Sequence, residues 1–98
     1  MIVIDFIEIW WRSVSGLFES RGVAGQFERS PIDRLNPSCS LNLRRGELEI
    51  DLIVWESGEA ELAIVESDGS VRQQHFDDLK EPTELESVLV KLSSLARM

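Results

Sequence analysis

The sequence predicts an α+β domain of two layers, in which a meander of four or five antiparallel strands is covered on one face by N- and C-terminal helices. Three observations support this prediction. Apolar residues recur every three to four positions near both ends of the chain, they alternate with polar residues over 23–76, and turn sequences divide that middle stretch. The 98 residues suffice for a single domain over 1–98, with helices over about 6–21 and 84–96.

The first helix is predicted from an apolar stripe along one side of 6–21. Its members recur at offsets of three and four: Ile7, Trp10, Trp11, Val14, Leu17 and Phe18. Asp5 is placed to cap this helix, with Glu8 completing a capping box, and Ile4 and Ile9 have the spacing of a hydrophobic staple. Because adjacent residues diverge by about 100° around a helix, one of the two tryptophans is expected at the edge of the buried stripe.

Strands with one buried and one solvated face are indicated between residues 23 and 76. After a weak first strand over 23–29, the buried face is predicted to consist of Cys39, Leu41, Leu43, Leu48, Ile50, Leu52, Val54, Ala60, Leu62 and Ile64. A three-residue loop over 57–59 would set Val54 close to Leu62 on the neighbouring strand. A second turn over 67–70 leads into the last strand.

The second helix is predicted from a capping pattern followed by an apolar stripe. Thr83 is expected to cap the helix, with Glu86 three residues later as in a capping box. The stripe comprises Leu85, Val88, Leu89, Leu92, Leu95 and Ala96. This helix and the first supply the cover that a sheet with one apolar face requires.

Charge is distributed unevenly along the chain. The 18 acidic and 10 basic residues give a formal charge of −8, and residues 46–98 hold 13 of the acids with four of the bases. Between Gly46 and Val71 there are eight acidic residues and neither lysine nor arginine. Such a protein is repelled by nucleic acid and by anionic membranes, so direct binding to either is not expected. A basic protein is the partner that electrostatics favours.

The strand alternation places Glu49, Asp51, Glu59 and Glu61 on the solvated face of the sheet, together with Ile53 and Trp55. A tryptophan surrounded by carboxylates resembles the anchor of a protein interface. The predicted partner-binding residues are therefore Glu47, Glu49, Asp51, Trp55, Glu56, Glu59 and Glu61. Two alternatives stay open: the carboxylates solely solvate an exposed face, or a register slip of one residue turns Trp55 into the core.

Residues able to carry catalysis or hold a metal are few. One cysteine, Cys39, excludes an intramolecular disulfide, and together with one histidine, His75, it cannot complete a structural zinc site. We expect Cys39 to be a buried apolar residue and His75 a solvated strand residue. Neither a Gly-x-Ser-x-Gly elbow nor a glycine-rich phosphate loop occurs. The sequence therefore predicts neither an enzyme nor a cofactor.

The location of the protein is predicted from what the sequence lacks. No run approaches the roughly 20 apolar residues of a membrane helix. Acidic residues within 1–11, with no early lysine or arginine, are not typical of a secretory signal. A lone cysteine suits a reducing compartment, so a cytoplasmic location is expected.

The segment 52–59, Leu-Ile-Val-Trp-Glu-Ser-Gly-Glu, lies between an aromatic-rich first helix ending Glu-Ser-Arg-Gly at 19–22 and a leucine-rich last helix. In these features the chain resembles the TriTu family of bacterial immunity proteins. The resemblance implies a small cytoplasmic protein encoded beside a polymorphic or contact-dependent growth-inhibition toxin, which binds and silences the toxin's C-terminal effector domain. It further implies an effector that attacks tRNA and acts with elongation factor Tu, so that this factor would be reached only through the toxin.

A different class of function also fits the composition. Small acidic α+β proteins serve as secretion or assembly chaperones, and that reading predicts an apolar groove and a symmetric dimer.

Overall fold

The computed structural model describes residues 3–31 and 35–94, which form an antiparallel sheet and two helices. The elements in chain order are α1 (Val3–Ser20), β1 (Ala24–Arg29), β2 (Ser38–Arg45), β3 (Leu48–Trp55), β4 (Ala60–Val65), β5 (Val71–Phe76) and α2 (Pro82–Ser93). The five strands follow one another in the sheet in sequence order, each antiparallel to the next. The predicted α+β meander between two helices is thereby confirmed.

The core lies between one face of the sheet and the two helices. Leu41, Leu52 and Leu62 are partners on the three central strands, and each is almost wholly buried. The helices contribute Val3, Ile4, Ile7, Trp11, Phe18, Leu85, Val88, Leu89 and Leu92 to the same cluster. Because all these side chains share one side of the sheet, the other side is left facing away from both helices.

Helix α1 is attached to the first strand by a close aromatic contact and by an ion-pair cluster. The indole ring of Trp11 packs directly on the Cα of Gly25, where a Cβ atom would collide with it. Arg29 Nη1 lies 3.0 Å from Asp5 Oδ1 and 2.7 Å from Glu8 Oε1. The hydrogen bond to Glu8 is the main reason that the pKa of Arg29 is raised. These contacts set the position of α1 over β1.

Several details of α1 differ from the sequence prediction. The helix already includes Val3, so Asp5 lies within its first turn and is not the cap. Glu8 pairs with Arg12 and Arg29 instead of closing a capping box. Ile4 is buried whereas Ile9 is 68% exposed, so the two do not form a staple. Leu17 of the predicted stripe is also exposed, whereas Trp10 is half-buried at the edge of the stripe, as expected of one of the tryptophans.

The loop between β3 and β4 lies one residue earlier than predicted. Trp55 N–H donates to the Glu59 carbonyl at 2.9 Å, so the loop consists of residues 56–58 and Val54 lies opposite Ala60 rather than near Leu62. Gly58, at the end of this loop, has a φ of +104°, which glycine adopts without strain. Because the shift in pairing is two residues, every side chain keeps its predicted face.

The start of α2 also corrects the sequence prediction. Glu81 is the N-cap, because its carboxylate accepts a hydrogen bond from Glu84 N–H at 3.1 Å, and Pro82 follows in the first turn. Thr83 therefore does not cap the helix. Leu95 and Ala96, the last two residues of the predicted stripe, lie outside the described residues. Within 3–31 and 35–94, neither helix combines the length and the apolar character needed to traverse a bilayer.

Candidate functional site: an acidic sheet face

The face of the sheet turned away from the helices carries most of the predicted site residues. We call it the outer face and define it by three cross-strand rows. These are Glu28, Ser40, Ile53, Glu61 and His75; then Gln26, Asn42, Asp51, Ala63 and Gln73; then Ala24, Arg44, Glu49, Val65 and Val71. Trp55 and Glu59 close the β3–β4 loop at one end of this face. Alternation along each strand directs these side chains to one side.

Five of the seven predicted residues lie together on the outer face or at its end: Glu49, Asp51, Trp55, Glu59 and Glu61. Glu47 lies in the turn between β2 and β3, and Glu56 lies in the loop between β3 and β4. These two residues are at opposite ends of β3, off the outer face. The acidic side chains that the structure brings together are therefore those of the strands, with Glu28 of β1 as a further member.

Two carboxylates on β3 are held by one amide group. Asn42 Nδ2 donates to Glu49 Oε2 at 2.8 Å and to Asp51 Oδ1 at 2.7 Å. Like charges two residues apart on a strand repel each other, and a shared donor between them reduces that cost. The bonds use one oxygen of each carboxylate, so the second oxygen of each can accept from a partner. Asn42 was not among the predicted site residues.

His75 forms a second polar cluster on the outer face. Its Nδ1 lies 2.7 Å from Glu61 Oε1 and its Nε2 lies 3.3 Å from Asp77 Oδ1. The hydrogen bond to Glu61, supported by the charges of Glu61, Asp77 and Glu59, raises the pKa of His75. The residue is exposed on a strand, as expected, and its protonation adds a positive charge, as Arg44 does, to a face on which carboxylates predominate.

The remaining predictions about single residues can be compared directly with the structure. Trp55 is half-buried and belongs to the outer face, since its neighbour Val54 is fully buried in the core. Cys39 is buried, and this burial raises the pKa of its thiol to about 11. A thiol with so high a pKa is protonated at neutral pH and is a poor nucleophile. Among the described residues, no group of three or more His, Cys, Asp or Glu is arranged to hold a metal ion.

An apolar groove lies on the other side of the molecule, between the two helices. Its volume is about 500 Å³, and it is lined mainly by Phe6 and Trp10 of α1 and by Leu85, Leu89 and Val90 of α2. Lys80 and Glu86 also line it. The sequence pattern did not predict this groove, because the exposed Phe6 falls outside the predicted apolar stripe.

The fold and the outer face together define a small α+β protein whose most distinctive surface is an acidic sheet. The chain belongs to the TriTu family of immunity proteins, since the family model described as "Immunity protein TriTu" matches residues 5–95. Membership implies that the protein neutralises a toxin and has a cognate toxin as its partner. Comparisons with curated proteins and with solved structures gave no match.

Proposed function

We propose that the protein neutralises its toxin by binding the toxin's effector domain stoichiometrically, with the acidic outer face as the contact surface. Glu49, Asp51, Glu59 and Glu61 would attract basic side chains of the toxin, and Trp55 would supply an aromatic contact at one end of the face. The observation that carries the proposal is the gathering of these residues on the one sheet face that neither helix covers.

The electrostatics of the chain support this mode of neutralisation. An unoccupied face with neighbouring carboxylates is mildly destabilising, and cations from a partner relieve that repulsion. Opposite charges also accelerate encounter, which matters for an inhibitor that must reach its toxin before the toxin reaches its substrate. Glu47 and Glu56, at the two ends of β3, would contribute at the rim of the contact.

The resemblance to the TriTu family implies a toxin whose substrate is tRNA, and the acidity of this chain agrees with such a toxin. A nuclease domain must be basic to hold phosphates, and an acidic protein can occupy or mask that surface. On the strength of this resemblance we infer a tRNA-directed nuclease as the effector, encoded beside this chain in a contact-dependent growth-inhibition or polymorphic toxin locus. Elongation factor Tu would enter the assembly only through the toxin, and the immunity protein itself would act in the cytoplasm without catalysis.

The test is the affinity of the chain for the effector domain encoded beside it, measured by calorimetry at rising salt concentrations. A triple variant, Glu49→Gln with Asp51→Asn and Glu61→Gln, removes three charges from the outer face with little change of shape. A single close charge pair with a coupling energy of about 1.5 kcal/mol corresponds to roughly a tenfold change in affinity, so we expect the affinity to fall at least about tenfold. The dependence of the affinity on salt should also become weaker.

A matched control removes the same number of charges from the helices. The triple variant Glu19→Gln with Glu84→Gln and Glu86→Gln has the same net charge as the outer-face variant and should bind almost as tightly as the natural sequence. Equal losses of affinity in the two variants would show that the net charge of the chain, and not the outer face, determines the affinity. If the outer-face variant kept full affinity, the outer face would not be the binding site. A ratio other than one toxin domain per chain in the complex would contradict simple stoichiometric binding.

The groove between the helices favours a second candidate function, an assembly or secretion chaperone. An apolar groove is what such a protein uses to hold a partner segment, and this one is lined by five large apolar side chains. Light scattering of the free protein separates the two functions, because the chaperone predicts a stable symmetric dimer without toxin.

A further inference from the structure

The outer face carries an apolar stripe that crosses the sheet on a diagonal. It starts at the β3–β4 loop and comprises, in order, Trp55, Ile53, Ala63, Val65 and Val71. Ile53 and Val71 are among the exposed large apolar residues of the protein, and the other three are partly exposed. Val65 lies opposite Glu49, six residues from Trp55 along β3, so Trp55 and Val65 are about 20 Å apart.

We propose that this stripe is the docking line for a basic amphipathic helix of the toxin. The inference rests on the proposed function and adds to it the kind of element that the outer face receives. A helix about 20 Å long has roughly 13 residues, and its apolar residues at offsets of three and four would follow the stripe.

Charge complementarity is the first argument for this occupant. Asp51 and Glu49 lie on the β3 side of the stripe, and Glu61 and Glu59 lie on its β4 side. Carboxylates therefore border the apolar line on its β4 side beside Trp55 and Ile53, and on its β3 side beside Ala63 and Val65. An occupant that matches this pattern has a central apolar row with cations on both flanks.

The geometry of the pattern favours a helix over a strand. A helix is about 10 Å wide with its side chains, and lysines or arginines beside its apolar row can extend to both borders of the stripe. A single strand presents only one row of side chains to the surface it covers, because alternate residues point away. Flanking cations on both sides would then have to come from further strands.

A second copy of this chain is a poor occupant for the same reason. Two outer faces in contact would oppose their carboxylates, and each chain carries a formal charge of −8. A cationic partner relieves the repulsion that a second copy would add.

The experiment uses photocrosslinking from the two ends of the stripe to the effector domain encoded beside this chain. p-Benzoylphenylalanine is placed at Ser57, beside Trp55, in one variant and at Val71 in another, and mass spectrometry locates the crosslinked toxin residues. If a helix occupies the stripe, the two sites lie in one toxin segment about 13 to 16 residues apart. A control variant with the probe at Arg12 of α1, whose side chain is 77% exposed, should give no crosslink.

Each other result overturns the inference. Crosslinked residues about six positions apart would identify a strand, and residues in separate toxin segments would exclude a single helix. Crosslinks to a second copy of this chain, or the absence of crosslinks in a complex that does form, would rule out a toxin helix on the stripe. Neither result would contradict the proposed function. Failure of the natural sequence to bind the effector domain would instead reject the proposed function.

A matched pair of substitutions tests the stripe by affinity. Ile53→Ser removes a large apolar side chain from the stripe, whereas Ile9→Ser makes the same change at an exposed position of α1. We expect Ile53→Ser to weaken binding about tenfold and Ile9→Ser to leave it unchanged. Equal affinities would contradict a role of the stripe, provided that circular dichroism shows both variants folded.

Discussion

At the scale of single residues, Gly25 illustrates how a glycine in a strand can be required by packing. The Trp11 indole occupies the space that a Cβ would need, whereas nothing lies within 4 Å of the corresponding position at Gly16 in α1. We expect Gly25→Ala to lower the free energy of unfolding by about 1–3 kcal/mol through overpacking. Gly16→Ala should raise it by up to about 1 kcal/mol through helix propensity. Urea denaturation of the two variants provides the comparison.

A third variant tests whether the contact with Trp11 causes the loss of stability in Gly25→Ala. Replacing Trp11 by leucine is destabilising by itself, but Gly25→Ala should cost much less in that background than in the natural one. If the cost of Gly25→Ala were the same in both backgrounds, the contact with Trp11 would not be its origin.

The structure predicts how the titration of a single residue, His75, affects the stability of the fold. Its pKa is raised by the hydrogen bond to Glu61, so the protonated form stabilises the folded chain. By linkage, this stabilisation of the folded chain is fully present below the ordinary histidine pKa near 6.5. It is lost as the pH rises through the higher pKa of His75 in the folded chain. The variant Glu61→Gln should shift the native pKa of His75 down towards its ordinary value, as measured by NMR.

The control for this titration is Glu84→Gln, which changes a carboxylate on α2. The chain has one histidine, so its imidazole signal needs no assignment among several. An unchanged pKa in Glu61→Gln would show that Glu61 does not hold the imidazole in solution.

The alternation along β3 and β4 predicted the faces of their acidic residues, but the sequence predicted neither Glu28 as a member of the outer face nor the contacts that hold these carboxylates. The faces of Glu49, Asp51 and Glu61 follow from a period of two, which burial imposes on each strand. The contacts of Asn42 and His75 depend on cross-strand register, which composition does not specify. Once the register is known, Asn42 lies opposite Asp51, and this pairing is the signal that identifies it.

At the scale of elements, the cap of α2 gives a direct comparison of two neighbouring residues. The Glu81 carboxylate accepts from Glu84 N–H, whereas Thr83 is already inside the helix. We expect Glu81→Ala to lower the free energy of unfolding by about 1 kcal/mol. Thr83→Ala should change it by less than about 0.5 kcal/mol. Thermal denaturation of both variants tests the assignment, and a larger loss for Thr83→Ala would reverse it.

Helices and strands were predictable as elements because each buries one face and the period of burial is visible in the sequence. The N-terminal ends of the helices were less predictable, because Asp5, Glu81 and Thr83 can all accept a hydrogen bond from a backbone N–H of a helix N-terminus. Two overlooked signals would have improved the prediction. Pro82 favours the first turn of a helix, which places the cap at Glu81. Gly58 suits the positive φ at the end of a three-residue loop, which places that loop at 56–58.

At the scale of the whole molecule, the hydrophobic core and the acidic outer face lie on opposite sides of the sheet. One side of the sheet supplies the core shared with α1 and α2, and the other carries the carboxylates and the apolar stripe. Stability and binding are therefore expected to respond to different substitutions. Outer-face variants should alter affinity while the free energy of unfolding changes little, since surface substitutions are usually within about 0.5 kcal/mol.

The most direct test of the account is carbodiimide labelling of carboxylates in the free chain and in its complex with the neighbouring effector domain, read by mass spectrometry. We predict that Glu49, Asp51, Glu59 and Glu61 lose most of their labelling in the complex, because the toxin covers the outer face. Glu19, Glu84 and Glu86 on the helices should be labelled equally in both states. Protection of the helix carboxylates, with the outer-face carboxylates labelled as in the free chain, would contradict the account.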